Sequence, residues 1–196
     1  MTKVAILWHM HQPYYEDLLT REHILPWARL HGLKDYWGMV AELDASPSVR
    51  VTFNLVPSLL VQLESFATGR AHDRYLETGL KPADELTADD VGFIVRHFFD
   101  AQPQRMIAPY PRYAELLGYR GPLRLEAGPR GGRDWSLDEL RDLQVWHKLA
   151  WIDPAYHERH PVVRGLIAKG RLFGEEDKRQ LREVELELLN RIIPAY

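Results

Sequence analysis

The chain opens with two short apolar runs, each followed by residues at helical spacing. Val4-Ala5-Ile6-Leu7-Trp8 is continuously apolar and rich in β-formers. Such a run without alternation suits a strand buried on both faces, as in a parallel sheet. Residues 9 to 31 follow as a long segment with Pro13, Pro26 and several aromatics. From Gly32 to Leu43 the spacing of Leu33, Tyr36, Val40 and Leu43 predicts a helix. Ala45-Ser46-Pro47-Ser48 reads as a turn, and Val49 to Leu55 as a second buried strand. Pro57 suits the first turn of a helix, Leu59, Leu60, Leu63, Phe66 and Ala67 continue it, and Gly69 ends it. Strand, helix, strand, helix is the order of a parallel α/β arrangement.

The pattern then becomes helical. Thr87 with Asp90 and Ser136 with Glu139 read as helix starts, each followed by an apolar stripe. Val91, Ile94, Val95, Phe98 and Phe99 form the first stripe, and Leu137, Leu140, Leu143, Trp146 and Leu149 the second. A last helix is predicted from Glu175 to Ile193, with an acidic first turn that suits the helix dipole. Glu187 and Arg191 are spaced for an ion pair on it. Residues 118–134 are rich in glycine, proline and arginine and read as an exposed loop. No third strand is predicted after Leu55.

Composition narrows the function classes. The 196 residues carry 25 Lys and Arg against 28 Asp and Glu, a formal net charge of -3. A chain without a basic excess is not built to bind nucleic acid. The absence of cysteine removes disulfides and thiolate metal sites. The first apolar run is too short for a signal peptide, and no stretch reaches the roughly 20 apolar residues of a membrane span. The expectation is a cytoplasmic protein with no membrane partner and no cofactor.

Candidate chemistry gathers at the end of the first strand, in Trp8-His9-Met10-His11-Gln12-Pro13. Strand residues two apart share a face, so His9 and His11 point the same way if the strand extends that far. In parallel α/β folds the carboxyl ends of strands carry the active site. Two imidazoles there can bind a metal or hydrogen-bond a polar substrate; equally, they can be buried polar groups satisfied by backbone. Tyr14, Tyr15 and Trp27 lie in the segment that follows, and flat apolar rings beside a few directed polar groups suit a sugar. Any one of those rings alone is better suited to the core. Asn54, at the end of the second strand, can reach the same face or simply cap the strand.

The runs VAILWHMHQPYY, LPWARLHGLKDYW and TFNLVPSLL, in that order, resemble the opening of glycoside hydrolase family 57. His11-Gln12-Pro13 matches that family's first signature, and IAPYPRYAELL, DLQVWHKLAWIDP and NRIIPAY are also similar. The resemblance implies a (β/α)7-type barrel, of which this chain would supply the first two strand–helix units and a largely helical region. It implies retaining action on α-glucans or maltooligosaccharides, by hydrolysis or glucan transfer, through a Glu nucleophile and an Asp acid/base. It places His9, His11 and Gln12 at the subsite of the reacting sugar, with Trp27 as a further candidate for its wall.

The nucleophile's motif, of the type Trp-Pro-x-Glu-Gly, is absent from the sequence. The expectation is therefore that residues 1–196 are the N-terminal part of one catalytic domain, with no catalytic residue of their own and inactive alone. Glu16, Asp17, Asp35 and Glu64 lie near the first two strand–helix units, in no catalytic context. Two other readings stand beside this one. A metal-dependent hydrolase would use the His-x-His pair with at least one more ligand. A non-catalytic carbohydrate-binding module would keep the aromatic pocket without the carboxylates.

Overall fold

A computed structural model describes residues 3–121 and 133–196. They fall into two units. The first comprises the chain up to Asp73 together with Glu185–Tyr196, and the second comprises Arg74–Val184.

In the first unit, β1 (Leu7–Met10) pairs in parallel with β2 (Thr52–Leu55). The register sets Leu7 opposite Thr52, His9 opposite Asn54 and Met10 opposite Leu55. Between the strands the chain winds through α1 (Trp27–His31), a π-helical segment (Gly32–Tyr36) and α2 (Trp37–Asp44). After β2 it enters α3 (Pro57–Ala67) at once, with Pro57 in its first turn. Gly69 follows at φ 72°, a left-handed position that glycine takes without a Cβ penalty. Two parallel strands joined through helix are thus the part of an α/β fold that this chain shows. Among the described residues no third strand follows, only isolated bridges at Glu16, His23 and Asp73.

The strands are shorter than the apolar runs predict, and they are not buried on both faces. Trp8, Met10, Phe53 and Leu55 alternate with the exposed Leu7, His9, Thr52 and Asn54. One face packs on Leu59, Leu63, Ile192 and Tyr196, where the Phe53 and Tyr196 rings meet edge-on at 4.8 Å. No described element covers the other face, so Leu7 is 62% exposed. Helix also begins earlier than expected, directly after Pro26. Its π segment lets Gly32 lie against α3 and the last helix, α10 (Glu175–Ala195). A Cβ at Gly32 would stand 2.9 Å from Leu63 and 3.2 Å from Leu189.

A buried ion cluster ties this unit together. The Arg29 guanidinium donates to both Asp73 carboxylate oxygens, at 2.8 and 3.0 Å, and lies 3.8 Å from Glu185. Burial works against its charge, but the two carboxylates raise its pKa. His23 lies beside this cluster, 2% exposed, packed on Phe66, with neither ring nitrogen hydrogen-bonded.

The second unit is helical. It holds α4 (Arg74–Leu80), a 3₁₀ turn (Ala83–Glu85), α5 (Ala88–His97), α6 (Pro111–Arg120), α7 (Leu137–Ala150), α8 (Pro154–Arg159), α9 (Pro161–Lys169) and the first part of α10. A short π turn (Pro103–Ile107) precedes α6. Both predicted helix starts form, each as a capping box: Thr87 with Asp90, and Ser136 with Glu139. Each side chain accepts from the third backbone N–H of its helix while the acid returns to the cap's own N–H. Phe98 and Phe99 lie past the end of α5 but remain in the core. Glu187 and Arg191 pair at 2.6 Å as predicted. The expected loop at 118–134 begins later than its composition suggests, because α6 continues through Arg120. Residues 122–132 of it lie outside the described residues.

α7 is buried along almost its whole length, including Asp142, Gln144, His147 and Lys148. Such polar groups are tolerable inside only when paired. Asp142 accepts from Arg112 Nε at 2.7 Å, and Gln144 accepts from the buried Lys178 at 2.9 Å. Burial lowers the Lys178 pKa despite its contact with Glu175.

Two glycines give opposite predictions. Gly32→Ala forces a methyl into Leu63 and should destabilise the first unit by about 1–3 kcal/mol. Gly165 in α9 is exposed with nothing near its Cβ position, so Gly165→Ala should stabilise by about 0.5–1 kcal/mol. Shifts in thermal midpoint of opposite sign check both.

Burial depresses the His23 pKa from the usual 6.5, outweighing the pull of Glu16 and Asp73; His72 and Arg29 depress it further. A depressed folded-state pKa gives stability that is complete above pH 6.5 and lost as the pH falls toward the folded value. Between pH 7 and 5 the wild type should therefore lose more stability than His23→Leu, and the difference between their Tm values should move in favour of the variant. A pH-independent difference would contradict this.

Candidate functional site

The His9–Pro13 segment leaves the sheet at its carboxyl edge. Strand pairing ends at Met10, yet His9 and His11 keep strand-like alternation: their rings stack 5.6 Å apart, inclined by only 8°. Both are exposed on the uncovered face. Asn54, the register partner of His9, is exposed on that face as well, since paired residues of parallel strands project to the same side. The structure thus brings together His9, His11 and Asn54.

Gln12 points elsewhere and is clamped. Its Nε2 donates to the Tyr36 hydroxyl at 3.0 Å, and its Oε1 accepts from the Tyr15 hydroxyl at 2.9 Å. One Nε2 hydrogen is left for a further acceptor. Burial raises the pKa of both phenols, so they hold their protons. For Tyr36 the hydrogen bond from Gln12 acts against burial without overcoming it. Trp27 stands in the first turn of α1 with its ring 6.2 Å from His31.

The backbone of this segment is fixed by α3. Val56 N–H donates to Met10 O and continues the ladder, and Ser58 Oγ donates to Gln12 O at 3.0 Å. The buried Gln62 donates to Pro13 O at 2.9 Å and accepts from Tyr15 N–H at 3.0 Å. Sequence reasoning passed over Ser58, Gln62 and the Tyr36 hydroxyl. Gln62 had a signal: it is a polar residue at helical spacing between Leu59 and Phe66, on the face that must be buried. The Tyr36 signal was masked by its fit to an apolar stripe.

The carboxylates nearby are engaged. Glu16 accepts from the Tyr14 hydroxyl at 2.5 Å and from Arg21 at 3.1 Å, and these bonds hold its pKa below the usual value. Burial would raise the Asp35 pKa, but His31 and Lys34 bring it down. Neither is poised to donate a proton at neutral pH. Among the described residues no group of three or more His, Asp or Glu is placed to hold a metal ion. His157 instead serves the fold: its Nδ1 accepts from Tyr110 at 3.0 Å while Nε2 faces the carbonyls of Leu149 and Ile152.

A family model described as glycosyl hydrolase family 57 matches residues 5–187. The chain belongs to that family. Membership makes it a relative of glycoside hydrolases, whose substrates are carbohydrates. The family 57 match spans both the His-Gln-Pro edge and the helical unit. Searches of curated proteins and of solved structures find no match. None of the described helices is long and apolar enough to cross a membrane.

The clamp around His-Gln-Pro yields a prediction. Gln62→Leu removes the bonds to Pro13 O and Tyr15 N–H and should cost about 1–3 kcal/mol. The backbone amide of Tyr15 should exchange with deuterium faster in the variant, while exchange in α7 stays unchanged.

Proposed function

We propose that the His-Gln-Pro edge forms the subsite for the reacting sugar of a retaining family 57 enzyme that acts on α-glucans. The observation that carries this reading is the exposed, co-facing group of His9, His11 and Asn54 at the carboxyl end of a parallel pair, with Gln12 fixed beside them. Ligands of open α/β sheets bind outside the carboxyl ends of the strands. Stacked imidazoles and a carboxamide suit the hydroxyls of a pyranose better than they suit a metal, for which two histidines are too few. Trp27 is assigned to the wall of the same subsite.

The strand–helix pair belongs, on this reading, to a (β/α)7-type barrel. The nucleophile Glu and the acid/base Asp lie outside this sequence, so the role of these residues is to bind and orient. Hydrogen bonds to the reacting sugar strengthen as it distorts toward the oxocarbenium-like transition state. The 196-residue chain alone binds maltooligosaccharide without turning it over.

Titration of the chain with maltopentaose, followed by the ring C–H signals of His9 and His11 in NMR spectra, tests the subsite. Saturable shifts that vanish in Asn54→Ala are expected; histidine signals that ignore sugar but move with stoichiometric zinc would favour a metal hydrolase. In an active enzyme containing this chain, His11→Ala should lower kcat/KM on the order of 10²-fold. The first-formed product there should be the α-anomer, and EDTA should leave the rate unchanged.

A further inference from the structure

The second unit contains a cleft of about 510 Å³, within the size range of small-molecule sites. Two stretches that carry the family resemblance, around Tyr110–Glu115 and around Trp146, meet there, and the site proposed above uses neither. We propose that this cleft is a second, non-catalytic binding site for a neutral saccharide. The proposal rests on the carbohydrate reading above.

The lining combines one aromatic platform with paired charges. The Tyr110 ring packs on Trp146 at 4.9 Å, and its hydroxyl is committed to His157, so the ring is held in place. The Trp146 indole N–H donates to Gly170 O at 2.9 Å and pins the opposite rim. Arg112, only 9% exposed, donates to Asp142 and to Glu115, both at 2.7 Å. Lys169 pairs with Asp177, and the charge of Arg171 adds to the Tyr119 and Arg112 hydrogen bonds that hold the Glu115 pKa down. Each cation near the cleft is thus opposed by a carboxylate. An anion would find little net field there, whereas a polyol would meet guanidinium donors and carboxylate acceptors beside an apolar ring.

The rim supplies a second observation. After α9 the chain turns through Gly170 at φ 71° and Leu172 at φ 56°. The first is a left-handed helix end that glycine permits. The second is a branched side chain in the left-handed region, which disfavours it, and it is 59% exposed, so no burial of its side chain compensates. The turn is held by Phe173 N–H donating to the buried Asp142 at 3.1 Å, the same carboxylate that fixes Arg112. Strain kept in an exposed turn, and braced by the residue that orders the cleft wall, sets the position of Arg171 on the rim.

The test is a titration of the isotope-labelled chain with maltopentaose, reading the Trp146 indole N–H and the Gly170 amide for the cleft, and the His9 and His11 rings for the first site. Saturable shifts at Trp146 and Gly170 are expected. Arg171→Ala, a surface change, should weaken them about tenfold and leave the histidine response as it was. Tyr110→Phe should bind like the wild type, because the ring rather than the committed hydroxyl meets the sugar. Tyr110→Ala should abolish the cleft response; should it unfold the unit, Arg171→Ala remains decisive. Histidine shifts without cleft shifts would overturn this proposal alone, and cleft shifts without histidine shifts would overturn the first site alone. Saturation of Gly170 by inorganic phosphate but not by maltopentaose would overturn the saccharide assignment.

Discussion

The first unit depends on a guanidinium removed from water. Arg29 is 1% exposed, and its partners Asp73 and Glu185 are fully buried. Desolvating three charges is expensive, and the attraction repays the cost only with good geometry. Here the geometry is a two-pronged bond to Asp73, with Glu185 close by. Each member comes from a different stretch: α1, the segment before α4, and α10. Removing any one would strand the others in a medium that cannot solvate them. The cluster therefore fixes α1, and with it Trp27 and the helical turn that delivers Tyr36 to Gln12.

Much of this was legible in the chain, and the parts that were not share a cause. The capping boxes, the proline entry to α3 and the alternation of His9 and His11 follow from local geometry, which sequence spacing encodes directly. The extent of burial of the strands does not. The run from Val4 to Trp8 is apolar enough for cover on both faces, yet the described elements cover one. Neighbours, not the run itself, decide exposure. The helical unit after Asp73 was only partly readable because its core is held by polar residues on faces that the apolar pattern leaves blank, such as Gln144, Asp142 and Lys178.

The candidate site divides in the same way. His9 and His11 were placed together by strand periodicity, a simple rule, whereas Asn54 could be either on their face or a strand cap until the register of the pair set it opposite His9. Gln12 was singled out, but its two phenolic partners lie 3 and 24 residues away, and only the fold joins them. Gln62, which holds the backbone beneath, looks in sequence like an interruption of an apolar stripe. An interruption of that kind is the mark of a polar group that the core must satisfy.

The π-helical segment from Gly32 to Tyr36 has a consequence for how this site can vary. A widened turn holds more residues than the ordinary winding, and such segments sit often at functional positions. Deleting one residue there would let the helix relax to 3.6 residues per turn with the turns on either side still in phase, because the wide turn is what absorbs the extra residue. The change would be confined to the turn that brings Tyr36 to Gln12 and its backbone carbonyl to the Tyr196 hydroxyl, which donates to it at 2.6 Å. A single-codon deletion in this stretch is thus a means of altering the support of Gln12 while leaving the helix whole.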